Sequence, residues 1–278
     1  MTSNINTPII PDWEASKIQY NNHELFPNHY RMLICGSSGD GKSVILQRLL
    51  LTKMLDYDVV FLNTPSIHQM EYKIMTEALN SGLTASHIFG LYDKQKQIHD
   101  PIYAIKKLSK IVNKKPTVKI VTSSDVESIP VPEELANKAS MEFQTISKNK
   151  NKKPKTIVII DDAICSSQKT INKLFTYGRT FSINVIYLTQ DFFATGKREC
   201  RSNVNTWILF RQPLNDLRTI YSRMTIKMTS DEFINFCNNC WSKKDNFVLI
   251  TKIRGGVNCT DGEVTNEITR RQNILYHS

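Results

Sequence analysis

Residues 36–43 read Gly36-Ser37-Ser38-Gly39-Asp40-Gly41-Lys42-Ser43, and this stretch decides the fold. The spacing Gly-x-x-x-x-Gly-Lys-Ser is that of a phosphate-binding loop. Each fixed position has a chemical reason. The glycines let the backbone curl until successive N–H groups face a polyphosphate, and a helix opening near Lys42 adds the positive end of its dipole. The Lys42 ammonium reaches the terminal phosphates, and the Ser43 hydroxyl serves Mg2+. The context agrees, because the loop follows an apolar run, Met32 to Cys35, and opens an amphipathic stretch from about Lys42 to Leu55. Gly36, Ser37, Ser38, Gly39, Asp40, Gly41, Lys42 and Ser43 are therefore read as the nucleotide-binding residues, set against a plain glycine turn.

Outward from the loop, strand-like runs alternate with helix-like segments, the pattern of an α/β domain with a mainly parallel central sheet flanked by helices. Strands are expected at Tyr57 to Asn63, Thr117 to Val121, Thr156 to Ile160, Asn184 to Thr189, Thr206 to Arg211 and Asn246 to Ile253. Helices are expected over 66–80, 132–147, up to about Tyr177, Leu214 to Met224 and 229–243. The rest of 81–131 gives no clear signal. An irregular leader (1–29) with Pro8, Pro11 and Pro27 is expected to precede one nucleotide-binding domain (30–254), and a polar tail (255–278) to follow it.

The most apolar strand, Ile157-Val158-Ile159-Ile160, opens onto Asp161 and Asp162. Four β-branched residues fit a strand buried on both faces. In such a site Asp161 holds Mg2+ and Asp162 orients or deprotonates the attacking water. Two acids at a strand end are also helix N-caps, a reading that loses force beside the loop at 36–43. Asp161 follows Ser43 by 118 residues (161 − 43), which is long for a small nucleotide kinase. There is no Asn-Lys-x-Asp guanine box, and Asp161 does not begin an Asp-x-x-Gly motif, so the nucleotide is read as ATP.

The net charge of +10 favours a polyanionic partner, nucleic acid first, over mere compositional bias. Lys148, Lys150, Lys152, Lys153 and Lys155 cluster before the acidic strand; the run reads as a solvated loop, with DNA contact as the second reading. No stretch approaches the roughly 20 apolar residues of a membrane span, and the start of the chain has neither the basic nor the apolar part of a secretory signal. Of six cysteines only Cys237 and Cys240 form a Cys-x-x-Cys pair, without a partner pair for zinc, so reduced structural thiols in an intracellular compartment are expected.

Three further stretches carry a family resemblance. Gly178-Arg179 precedes the strand that ends in Thr189-Gln190; Arg201-Ser202-Asn203-Val204-Asn205 precedes Trp207-Ile208-Leu209-Phe210-Arg211; and Leu217-Arg218-Thr219-Ile220 follows. This order resembles the FtsK/HerA DNA translocases, with a RecA/FtsK-like core. The Asp-Asp pair and Phe61-Leu62-Asn63-Thr64-Pro65 look like its branch of genome-packaging ATPases from large DNA viruses and virophages. The resemblance covers roughly residues 30–225. It implies that Gln190 senses the γ-phosphate and that one of Arg179, Arg201 and Arg218 is a finger reaching the next subunit's ATP. It further implies a homo-oligomeric ring driving double-stranded DNA, with capsid or portal-vertex proteins as partners. The expected location is the host-cell cytoplasm or viral factory, or the virion, and not a secreted one. A P-loop kinase or other phosphotransferase is the alternative, and a nucleotide-switched binding protein the third class.

Overall fold

A computed structural model describes residues 21–23, 25–83, 87–88, 100–113, 115–124, 129–147, 149, 151–161, 168–192, 198–222, 228–242, 247–253 and 256–260. Eight strands form one sheet: β1 (Arg31–Cys35), β2 (Val59–Asn63), β3 (Lys119–Ser123), β4 (Thr156–Asp161), β5 (Ile183–Thr189), β6 (Thr206–Leu209), β7 (Val248–Ile253) and β8 (Gly256–Thr260). Their order across the sheet is β3-β2-β4-β5-β1-β6-β7-β8. The first six run parallel, and β7 and β8 turn antiparallel.

The helices are α1 (Lys42–Leu51), α2 (Met70–Asn80), α3 (Pro101–Val112), α4 (Pro132–Gln144), α5 (Gln168–Tyr177), α6 (Arg198–Asn203), α7 (Leu214–Ser222) and α8 (Ser230–Cys240), with a 3-10 turn at Gly178–Phe181. Alternation along the strands sorts the core into two layers. On one face Met32, Ile34, Val60, Leu62, Ile157 and Ile159 pack with α1, α2 and α3. On the other Leu33, Val59, Phe61, Val158, Ile160 and Tyr187 pack with α4, α5, α7 and α8. Covering both faces is why the central strands read as continuous apolar runs.

The edge where β1 begins is pinned by two asparagines. Tyr30 N–H donates to Asn184 Oδ1 at 3.1 Å, and Arg31 N–H donates to Asn205 Oδ1 at 2.8 Å. The Asn205 amide in turn donates to the His29 carbonyl at 2.8 Å. Both neighbours of β1 thus hold its entry and fix the register that delivers the Gly-rich loop.

Several elements differ from their sequence reading. Helix α3 lies in the stretch that gave no clear signal, although Asp100-Pro101 was a start signal: the Asp100 carboxylate accepts from Tyr103 N–H at 3.0 Å. Strand β8 lies in the stretch read as a polar tail. Its register pairs Ile253 with Gly256, so the strand is held by backbone pairing that apolar patterning does not report. Phe26, within the leader, is buried in the core. Cys237 and Cys240 are buried thiols outside any disulfide, and no group of metal-ligating side chains occurs among the described residues. None of the helices in the described residues is long and apolar enough to cross a membrane.

Because Ile159 is fully buried in β4, Ile159→Ala is expected to cost about 2–5 kcal/mol through lost transfer energy and the cavity left behind. Urea unfolding checks this; a loss under about 1 kcal/mol would mean that the sheet centre relaxes around the gap.

Candidate functional site

The carboxyl ends of the parallel strands converge on one edge of the sheet, where open α/β sheets place their ligands. At the end of β1 the chain enters the Gly-rich loop. Gly39 has φ +86° and Gly41 φ +97°, left-handed conformations that side-chain-bearing residues rarely adopt. Gly41 is also the N-cap of α1 and offers no side chain to it, so the amides opening the helix are left for an anion. Within the loop Ser37 N–H donates to Asp40 Oδ2 at 2.6 Å. The Lys42 ammonium folds back to donate to the Gly36 and Ser37 carbonyls at 2.7 and 2.8 Å.

Beside the loop opens a cleft of about 380 Å3. Ser38, Gly39, Gly41, Lys42 and Ser43 line one wall, Asp161 another, and Thr189 with Gln190 the floor between them. Sheet order explains the meeting. Strand β5 sits between β1 and β4, with Cys35 level with Thr189 and Asp161 level with Leu188. Gln190, one residue past β5, is exposed and falls between loop and carboxylate. The structure therefore brings together Lys42, Ser43, Asp161 and Gln190, as read from the sequence. Asp162 lies outside the described residues, as do Lys148 and Lys150.

Asp161 is held in place by two hydroxyls, both donating to Oδ2: Thr64 at 3.1 Å and Tyr72 through a short bond. Burial, then the neighbouring Asp161 charge, pushes the Tyr72 hydroxyl far above its ordinary range, so it stays a neutral donor. Ser43 and Asp161 are hard oxygen donors on one cleft, the set that Mg2+ takes alongside phosphate oxygens and water. At the base of the loop burial raises the Cys35 thiol to about 12, keeping it protonated and inert.

The three arginines stand apart from this cleft. Arg179 lies in the 3-10 turn before β5, at the opposite edge of the sheet from Gln190. The seven residues of β5 separate those edges by roughly 23 Å at about 3.3 Å per residue. Arg201 in α6 precedes β6 and shares that far edge, while Arg218 is exposed on α7. In the lysine run Lys152 pairs with Asp58 at 3.3 Å and Lys155 with Asp56, which ties the segment to the start of β2 as a tethered loop. Sequence reasoning missed Ser66, Gln69, Glu71 and Tyr72, which line the cleft from the first turn of α2 and the loop before it. No local pattern marks them, since only the β2–β4 pairing brings that turn over Asp161.

Such a fold, with its loop, carboxylate and interposed glutamine, defines a P-loop ATPase. The chain belongs to the family described as Poxvirus A32 protein, which it matches over residues 17–126 and 117–274. Among solved structures it is similar to the genome packaging NTPase B204 from Sulfolobus turreted icosahedral virus 2 in complex with ATP-γS, at 14% identity over 84% of this chain and 97% of that chain, TM-score 0.48. It is similar also to the DNA-packaging ATPase from Sulfolobus turreted icosahedral virus, at 15% identity over 84% and 97%, TM-score 0.49. VirB4 of Thermoanaerobacter pseudethanolicus matches at 14% identity over 83% and 88%, TM-score 0.43. None of the curated proteins compared matches the chain.

A methyl group at Gly36 would lie 2.7 Å from Phe210 Cβ and 2.9 Å from Asp40 Oδ2. Gly36→Ala is therefore expected to push the loop off its seat and weaken nucleotide binding at least tenfold, roughly 1.4 kcal/mol, as read by fluorescent-nucleotide titration. An affinity equal to that of the parent would mean that the seat against Phe210 is not needed for phosphate binding.

Proposed function

We propose that this chain hydrolyses ATP to drive double-stranded DNA in genome packaging, working as a homo-oligomeric ring. The observation that carries the reading is the cleft shared by Lys42, Ser43, Asp161 and Gln190. The loop amides and the Lys42 ammonium bind the phosphates, Lys42 exchanging its present carbonyl partners for phosphate oxygens. Mg2+, held through Ser43 and Asp161, neutralises charge on the terminal phosphates when bound. Thr64 and Tyr72 orient the Asp161 carboxylate. Asp162 accepts the proton of the attacking water, and Gln190 senses whether the γ-phosphate is present. Glu71, the other described carboxylate on the cleft wall, is the rival base.

Arg179 acts in trans. It lies a full strand length from its own cleft, so only another subunit's site is within its reach, and head-to-tail contacts of that kind close into rings. DNA is held through phosphate contacts that read no sequence, which suits the net charge of +10. Capsid or portal-vertex proteins are the partners, in the host-cell cytoplasm, the viral factory or the virion.

Lys42→Ala is expected to lose nucleotide binding, whereas Asp162→Asn binds ATP yet hydrolyses it at least tenfold more slowly, about 1.4 kcal/mol in barrier. Glu71→Gln, run in parallel, takes over the base assignment if it alone shows that phenotype. Arg179→Ala is expected to bind ATP and lose the roughly 10³–10⁵-fold acceleration of a finger. Mixing it with Asp162→Asn restores turnover, because mixed rings contain sites with both residues intact. Rescue by Arg201→Ala or Arg218→Ala instead would move the finger to that residue, and full activity of Arg179→Ala alone would remove it from the site.

A further inference from the structure

Helix α3 (Pro101–Val112) lies against α2 and leads into β3, the edge strand of the sheet. Its residues fall on two faces at helical spacing. Ile105 is buried, and Ile102, Leu108 and Val112 pack beside it against the apolar layer below. Tyr103, Lys106, Lys107, Lys110 and Ile111 face outward and are all exposed. Tyr103 is 67% exposed and Ile111 72%, so neither end of this face is covered among the described residues.

The outer face carries one sign of charge. From Pro101 to Lys115 the chain has no Asp or Glu and five lysines. Among the described residues Lys106, Lys107 and Lys110 enter no ion pair. By contrast, Lys119 pairs with Glu142 at 3.5 Å, Lys152 with Asp58 at 3.3 Å and Lys155 with Asp56. Lys138 and Lys252 lie over the rings of Phe61 and Trp207. Like charges three and four positions apart on a helix repel and weaken it, and Lys107–Lys110 and Lys106–Lys110 are such pairs. A face of this kind, with no acids of its own chain, is complementary to a polyanion.

We propose that the outer face of α3 is the surface by which the chain holds the DNA backbone, through Lys106, Lys107, Lys110 and the Tyr103 hydroxyl. This rests on the DNA reading above and adds the place of contact. Lysine ammoniums and a tyrosine hydroxyl donate to phosphate oxygens and fix position without reading bases. The three lysines project from about 6 Å of helix axis at about 1.5 Å per residue. Duplex DNA carries one negative charge per about 1.7 Å of its axis, so each ammonium finds a phosphate. Carboxylates on an acidic protein surface are interleaved with other side chains and do not match that density. The place also suits a motor. The α2 helix beneath carries Tyr72, whose hydroxyl donates to Asp161, so DNA on α3 lies one helix away from the ATP cleft.

The test is fluorescence anisotropy of short labelled duplexes of unrelated sequence. The full chain is titrated over a range of salt, with Mg2+ and a non-hydrolysable ATP analogue present. The parent is compared with a variant combining Lys106→Gln, Lys107→Gln and Lys110→Gln. A control combining Lys150→Gln, Lys152→Gln and Lys153→Gln removes the same charge from the lysine run. Nucleotide binding and thermal unfolding of each are recorded. The α3 variant is expected to bind every duplex at least roughly tenfold more weakly at low salt, and its slope of log affinity against log salt to fall by about 2.7, or about 0.9 per lysine. Its nucleotide affinity and the control's slope are expected to stay at the parental values. A parental slope in the α3 variant overturns the inference and leaves the DNA reading standing. An equal fall in the control makes the effect one of net charge and also overturns it. An α3 variant that keeps DNA but loses binding to poly-glutamate, titrated in parallel, gives the face to an acidic protein and overturns it as well. A parent that binds no duplex defeats the DNA reading itself, and the inference with it.

Discussion

The site depends on one constraint of sheet order, the insertion of β5 between β1 and β4. Without it the loop after β1 and the carboxylate at the end of β4 would be immediate neighbours. With it they stand one strand further apart, and the gap is floored by Thr189 and Gln190. Parallel pairing makes this exact in register, since Cys35, Thr189 and Asp161 end their strands within one residue of a common level. A Gly-rich loop, a carboxylate and a glutamine thereby reach one cleft from positions scattered over 154 residues (190 − 36) of chain.

Rigidity follows from the same arrangement. Asn184 and Asn205 clamp the entry of β1, and the buried apolar layers fix β4 from both faces. Lys42 is tied to loop carbonyls at 2.7 and 2.8 Å and needs only a rotamer change to meet phosphate oxygens. The anion site is therefore largely built before the nucleotide arrives, which lowers the ordering cost of binding.

Much of this was legible in the sequence because the decisive features are local. The loop at 36–43 declares itself by spacing, and Thr156 to Asp161 by its apolar run ending in an acid. The parallel sheet follows from the alternation of elements. What stayed hidden is set by pairing between distant segments. Thr64 and Tyr72 bond to Asp161 across 97 and 89 residues, and no periodicity reports such a contact. Strand β8 is held by backbone bonds to β7 behind a polar sequence. Arg179 illustrates a different limit. Its motif was visible, but its distance from its own cleft appears only once the sheet is assembled.

The central claim is that ATP hydrolysis at this cleft serves movement along double-stranded DNA. The most direct measurement is the steady-state ATP hydrolysis rate of the purified chain with and without double-stranded DNA of unrelated sequences. The rate is expected to rise several-fold with every sequence and to fall back as salt displaces the phosphate contacts. A hydrolysis rate indifferent to DNA at low salt would contradict the account.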